Sequence, residues 1–283
     1  MNVWNSVRLY WNVKPVGLNS FLRLYVGLIA SLIVVALVRS RFKSTGHMTP
    51  GTNRLRVTTA GVFADVVPGN NSLALLAGVQ EPKTTRWFQV KPREVVVDVG
   101  AHIGRYTLIA AKQALKVVSI EPDPSNFAML ESNIKLNEFH NIVPLQLALS
   151  DSRGKRRFYL ASGGDSGTSS LESSWFWTLD AGVKRKEIEV ECETLDSVLD
   201  SLGLEQIDWL KIDVEGHETA VLEGAGASLV RTRRLILEVA EGNETVCREL
   251  VRRAGFKLIA IDQGKKEDRL RASSNWLLHR TNA

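Results

Sequence analysis

The sequence predicts an α/β protein: a seven-stranded, doubly wound (Rossmann-like) sheet ending in an antiparallel hairpin, with a hydrophobic helix ahead of it. Three patterns carry this reading. From residue 94 onward, short β-branched apolar runs alternate with stretches of helical periodicity, the signature of βαβ units. The last run is reached through a short glycine-containing turn at 263–271, which reverses the strand direction. Near the start, residues 24–38 (LYVGLIASLIVVALV) carry no charge at all.

Three segments follow from these patterns: a basic, hydrophobic segment at 1–45, an adapter without clean periodicity at 46–93, and an α/β domain at 94–283. A helix over 24–38 reaches roughly 22 Å, short of the roughly 30 Å of a bilayer core unless residues 18–22 join it and Arg23 snorkels. A signal peptide fits poorly, because no A-x-A site follows and cations come at once. A buried helix of a soluble, cytoplasmic protein is one alternative. A membrane-associating helix within 18–43, spanning or interfacial, is favoured by Arg23 before it, by Arg39, Arg41 and Lys43 after it, and by aromatic residues on its approach. The following basic flank would keep the α/β domain cytoplasmic.

Composition excludes several classes of function. A chain of 283 residues, 44% hydrophobic and 24% charged, has enough apolar content for a substantial core and is neither disordered, collagen-like nor a coiled coil. Cys192 and Cys247 are too few for a disulfide framework or a four-cysteine zinc site, and read as free thiols in a reducing compartment. The net charge of +5 invites nucleic acid, yet residues 1–60 hold eight basic residues and no acid. The remainder carries 28 basic against 31 acidic residues, a balance of −3, so no nucleic-acid partner is expected.

Within the α/β domain, strands are expected at 94–99, 116–121, 142–148, 207–213, 234–239, 256–262 and 275–280, and helices at about 104–113, 125–137, 194–202, 217–225 and 243–254. The first strand ends in VVVDVGAHIGRYT, residues 95–107. Gly100 and Gly104 bracket a turn into a helix, where glycines let backbone approach a ligand and free amides offer hydrogen bonds to anionic groups. A tight turn with Asp98 satisfied locally is the plainer alternative. His102 stands in the middle of the turn, so the pattern is not G-x-G-x-x-G, which argues against a dinucleotide site and leaves a nucleoside site open.

The next strand ends at Glu121, 17 residues past Gly104, where such folds place a carboxylate for the ribose hydroxyls, and Pro122 stops the strand. The fourth strand runs into LKIDVEGHE, residues 210–218, crowding Lys211, Asp213, Glu215, His217 and Glu218 at its carboxyl end. Alternation puts Lys211 and Asp213 on one face. Helix capping and dipole complementarity account equally well for Glu218.

The set DVGAHIG, EPDPSNFAMLESNIKLN, ALSD (148–151), SSL (169–171), TLDSVL (194–199) and LKIDVEGHE, in this order, resembles the FkbM family of S-adenosylmethionine-dependent O-methyltransferases, over roughly 94–241. The resemblance implies the class I methyltransferase fold, S-adenosylmethionine as cofactor, and transfer of a methyl group to a hydroxyl of a small molecule, sugar or glycan. The hydrophobic N-terminus lies outside it, and the turn lacks the middle glycine of the wider methyltransferase pattern. Carried over, it puts the methionine moiety near Asp98, Gly100, His102 and Gly104, the ribose on Glu121, the adenine beside Pro122 and the backbone from Ala148 to Ser150, and Asp213 near the sulfonium.

Methyl transfer needs an aligned acceptor oxygen and a place for its proton. Asp213 or Glu215 is expected to orient or deprotonate the acceptor, with His217 as alternative or helper. No metal is expected: Asp213, Glu215 and Glu238 offer oxygens without a diagnostic spacing, and Glu238 is expected to pair with Lys211. The segment 161–177, with Trp175 and Trp177, reads as an acceptor lid or a plain hairpin. A nicotinamide-dependent oxidoreductase and a non-catalytic, membrane-associated nucleoside-binding module are the competing functions. Oligomeric state is not legible.

Overall fold

A computed structural model describes residues 14–15, 55–59, 61–66, 81–161, 166–173, 186–263 and 273–281. The hydrophobic stretch 18–43, the tip containing Trp175 and Trp177, and most of the turn at 263–271 lie outside these residues. Among the described residues, no helix is long and apolar enough to cross a membrane.

Thirteen strands and seven α-helices are described. Strands β1 (Lys14–Pro15), β2 (Leu55–Thr59) and β3 (Val62–Val66) form a small antiparallel sheet. The main sheet contains β4 (Val95–Val99), β5 (Lys116–Ile120), β6 (Ile142–Leu145), β10 (Ile207–Ile212), β11 (Thr232–Ala240), β12 (Phe256–Asp262) and β13 (Ser273–Arg280), in the order β12-β13-β11-β10-β4-β5-β6. The strands from β11 across to β6 run parallel, while β13 pairs antiparallel with both β11 and β12. This is the expected seven-stranded class I methyltransferase-like sheet with its antiparallel hairpin, and the last strand inserts between two earlier ones. A third sheet joins β7 (Ala148–Leu149), β8 (Gly154–Tyr159) and β9 (Glu187–Glu193).

The helices are α1 (Pro82–Trp87), α2 (Arg105–Ala111), α3 (Pro124–Leu136), α4 (Leu195–Ser201), α5 (Glu218–Glu223), α6 (Gly226–Arg231) and α7 (Glu244–Arg253). Asp123 caps α3, its carboxylate accepting the Ser125 amide at 2.8 Å, with Pro124 at the first helical position. Thr194 caps α4 in the same way through the Ser197 amide.

Alternation along the strands builds two cores. Val97, Val99, Leu210, Ile212, Leu235 and Leu237 face one layer, with α4 to α7. Val96, Trp209, Ile236 and Leu277 face the other, against Phe88, Tyr106 and Ala110.

Three expectations change. The single strand at 142–148 is two: β6 stops at Leu145, whose carbonyl accepts the Glu121 amide as β5 ends, and Ala148–Leu149 then pairs with β9 in the third sheet. The helix at 217–225 is α5 alone, closed at Gly224, where a Cβ would stand 2.1 Å from the Ser150 carbonyl oxygen; α6 follows separately. Nor is 46–93 merely an adapter. Val62, Ala64 and Val66 pack with Leu130 and Ile134, and Asn133 accepts the Asp65 amide at 2.7 Å.

Candidate active site

The second core layer changes character at the carboxyl ends of the strands. Moving two residues on from Val96, Trp209 and Ile236 reaches Asp98, Lys211 and Glu238, still on the same face. Asp213 lies beyond Lys211, and Asn275 stands opposite Glu238 in the β11–β13 register. An apolar face therefore ends in a charged rim, where open α/β sheets bind ligands.

Lys211 organises that rim. It is 2% exposed, donates to Asp213 Oδ2 at 2.7 Å and sits 4.7 Å from the Tyr106 ring centroid. Burial works against its ammonium, but Asp213, Glu81 and Asp98 outweigh it and hold its pKa above the ordinary lysine value. Burial likewise works against the Asp213 carboxylate, and Lys211 overcomes it, keeping Asp213 below its usual range. Burial, then the neighbouring Asp213 carboxylate, pushes Glu238 well up. The expected Glu238–Lys211 pair is thus replaced: Glu238 hydrogen-bonds Asp213 and accepts from Ser273 Oγ at 2.5 Å.

Glu81, at the start of α1, completes this group. Its Oε2 accepts the Tyr106 hydroxyl at 2.6 Å and lies 3.5 Å from Arg105 Nη1. No motif marked it, because it comes from the segment without periodicity. A Pro at the first helical position behind an acidic residue was the one local signal.

Around the first turn, Gly100 has φ +77° and packs on β10, since a Cβ would stand 1.7 Å from the Asp213 carbonyl oxygen. The Gly104 Cβ would meet Leu130 at 2.7 Å. Both glycines serve packing within the fold. Within the turn, Gly100 and Ala101 donate to the Ile120 carbonyl, Gly104 donates to the Ala101 carbonyl, and His102 donates to Glu121 Oε2 at 2.8 Å. His102 itself has φ 53°, the left-handed region that glycine usually fills, and burial lowers its pKa to about 4, leaving the ring neutral.

Asp98 Oδ2 accepts from Thr107 at 2.6 Å, whereas its buried Oδ1 has no hydrogen-bond partner among the described residues. Burial raises the Asp98 pKa. Glu121 is buried too. Its Oε1 accepts the Asp123 amide at 2.9 Å, and burial, partly offset by these two amide bonds, pushes its pKa up to about 7. The Asn126 side chain hydrogen-bonds the same carboxylate, so three protein donors already engage it.

His217 is placed differently from a base open to substrate. Its Nε2 is 2.9 Å from Ser150 Oγ and its Nδ1 2.6 Å from Glu172 Oε1, so both ring nitrogens are engaged by the protein. That hydrogen bond lowers the Glu172 pKa. Ser150 is fully buried; its hydroxyl meets His217 and Asp151, and its amide donates to the Glu193 carbonyl. Glu215 has φ 52° and its carbonyl accepts the Ser170 hydroxyl, tying the SSL segment to the strand end. Glu218 accepts the Gly216 amide and the Asn243 side chain, a capping role. A cavity of about 510 Å³ beside His217, Glu172 and Asn243 includes none of Asp98, Glu121, Asp213 or Glu238. Cys192 and Cys247 are buried free thiols.

A mixed seven-stranded sheet with carboxylates at the ends of β4, β5, β10 and β11 defines a class I methyltransferase-like protein. A family model for the methyltransferase FkbM domain matches residues 98–258, more than half of the chain. The chain belongs to the FkbM family of S-adenosylmethionine-dependent methyltransferases.

Among curated relatives, it is 31% identical over 59% of its length to the AMB antimetabolite synthetase AmbE of Pseudomonas aeruginosa, covering 10% of that protein. It is 32% identical over 61% of its length to the 31-O-demethyl-FK506 methyltransferase FkbM of Streptomyces tacrolimicus, covering 76% of it. It is 28% identical over 59% of its length to the hexuronic acid methyltransferase AglP of Haloferax volcanii, covering 64% of it.

Proposed function

We propose that the chain transfers a methyl group from S-adenosylmethionine to a hydroxyl of a small molecule, sugar or glycan. The observation that carries this reading is the coincidence of the family match with the strand ends that hold Asp98, Glu121 and Asp213. The residues fit the cofactor. The buried carboxylate of Glu121 at the end of β5 suits the ribose hydroxyls, and the orphan Asp98 Oδ1 suits an ammonium donor. Gly100, His102 and Gly104 shape the turn beside the methionine moiety, and Pro122 with the backbone of 148–150 borders the adenine.

When bound, S-adenosylmethionine supplies an electrophilic methyl on a sulfonium. The chain's own residues orient the acceptor and take its proton. Asp213, held ionised by Lys211, is the orienting acceptor of that hydroxyl. Its low basicity is no obstacle, because the hydroxyl becomes strongly acidic as its oxygen bonds to carbon. Glu215 supports it from the next turn. His217 holds Ser150 and Glu172 and acts as a positioning residue. The names of the relatives support this class of acceptor, one through an O-demethyl substrate and the other through a sugar acid.

Calorimetric titration with S-adenosylhomocysteine and with NAD tests the cofactor. Binding of the first and not the second is expected; the reverse would replace this reading with the oxidoreductase. Asp213→Asn is expected to keep S-adenosylhomocysteine affinity and lose most turnover. The uncharged 24–38 run between basic flanks supports association of the enzyme with a membrane through residues 18–43.

A further inference from the structure

The turn between β4 and α2 is held from outside the main sheet. Three of its residues have left-handed backbone: Gly100 at φ +77°, His102 at 53° and Gly104 at +98°. For a histidine that conformation is costly, and it persists only where the surroundings dictate it. Those surroundings are the N-terminal hairpin and α3. The Ile103 side chain packs in one cluster with Val62, Ala64 and Val66 of β3 and Leu130 and Ile134 of α3, while its carbonyl accepts from Asn133 Nδ2 at 2.9 Å.

Asn133 is fully buried and engages both ends of its amide. Its Oδ1 accepts the Asp65 amide at 2.7 Å, and its Nδ2 donates to the Asp65 carbonyl at 3.4 Å as well as to Ile103. One turn further on, at the end of α3, Asn137 repeats the clasp on Phe63, accepting its amide at 2.8 Å and donating to its carbonyl at 2.7 Å. The spacing matches, because four helical residues rise about 6 Å and two strand residues about 6.7 Å. The pair thus grips β3 through its backbone, and Asn133 also reaches the turn. One residue before Ile103, the His102 amide donates to Glu121 Oε2.

We propose that Asn133 is a positioning residue for the cofactor site: by holding the Ile103 carbonyl it keeps the His102 amide on Glu121, and by holding Asp65 it makes the N-terminal hairpin a working part of that site. The benefit to the cofactor rests on the methyl-transfer reading above, whereas the hold on Glu121 does not. Without Asn133 the turn relaxes out of the left-handed region, and the Glu121 carboxylate loses a donor. Its other neighbours stay in place: the Asp123 amide, the Asn126 side chain and the Asp123 carboxylate, the charged group beside it. An amide donor favours the ionised carboxylate, so its loss moves the titration of Glu121 upward and weakens any ligand that needs the anion.

The test is a carbon-13 NMR titration of the Glu121 carboxyl in the full chain, assigned through Glu121→Gln, beside calorimetry with S-adenosylhomocysteine. In Asn133→Ala, Glu121 is expected to titrate about one pH unit higher than in the wild type, and S-adenosylhomocysteine to bind about tenfold more weakly at pH 7. Asn137→Ala loses the same kind of clasp on β3 without touching the turn. It is expected to lower the melting temperature and leave both measurements in place, whereas a merely structural role would move the two variants alike. The same link runs in reverse in the wild type, which keeps the test open if Asn133→Ala does not fold. Protonating Glu121 between pH 8 and pH 6 is expected to lower the hydrogen-exchange protection of the Asp65 amide more than that of the Phe63 amide. An unshifted Glu121 titration in Asn133→Ala, an equal shift in Asn137→Ala, or equal changes at the two amides overturns the role. The expected shift in a chain that binds no S-adenosylhomocysteine would keep the hold on Glu121 and remove the methyl-transfer reading.

Discussion

Glu121 must be an anion to accept two hydroxyls, yet its buried setting resists the charge. With a pKa of about 7 against an unfolded value of 4.5, the folded chain holds this proton more tightly than the unfolded one, so stability falls as pH rises from 4.5 to 7 and levels off above. The cost of the ionised form is roughly 3 kcal/mol. Glu121→Gln is therefore expected to raise the melting temperature of the ligand-free protein at pH 8 while weakening S-adenosylhomocysteine. In the wild type, affinity for that ligand should drop by about tenfold between pH 8 and pH 6, because only a minor fraction of Glu121 is ionised at the lower value. Calorimetry across that range checks both; a flat profile in the wild type would remove the ribose role. The place of Glu121 at the carboxyl end of β5 was legible in the sequence, because a β-branched run stopped by Pro122 ends there. Its two amide partners were not, since they depend on how the turn at His102 folds back.

At the level of elements, the site depends on how closely the turn after β4 approaches the end of β10. The register aligns Asp98 with Lys211, and the absent side chain of Gly100 lets the two chains touch. Gly100→Ala combines a 1.7 Å clash against backbone with a φ of +77°, so a loss of at least about 3 kcal/mol is expected, or roughly 6 to 12 °C in melting temperature. Gly226→Ala is the control: it opens α6, its φ is not positive, and the nearest atom to a new Cβ is 4.0 Å away. Thermal melts of the two variants should separate cleanly, and an unchanged Gly100→Ala would contradict the close approach. The parallel units from β4 to β11 were readable because each pairs a β-branched run with a following helix. Strand β9 alternates Glu with Ile, Val and Cys, a period-2 signal present in the sequence, whereas its pairing with β8 and β7 depends on contacts no local window records. Helix α1 has six residues, too few for periodicity to register, and so Glu81 stayed hidden.

For the whole molecule, charge is unevenly distributed along the chain. The basic excess lies in residues 1–60 and the acidic rim in the α/β domain. Fractionating cells that express the full chain or a chain without residues 1–45 is expected to move the shortened protein from the membrane pellet to the supernatant; equal distribution of the two would remove the anchoring role. The fold class was legible because it rests on local repeats, whereas Asn275 joins the rim only through the antiparallel insertion of β13, a long-range event that no window of sequence records. That insertion also dictates an order of assembly. Strand β13 follows every other described strand in the chain, yet it separates β11 from β12 and pairs with both. On a ribosome, the sheet cannot close until this late strand emerges, and until then β11 and β12 each expose an unpaired edge. From the emergence of β11 to that of β13, the nascent protein thus carries an open seam beside its own active centre, the interval in which it most needs a chaperone.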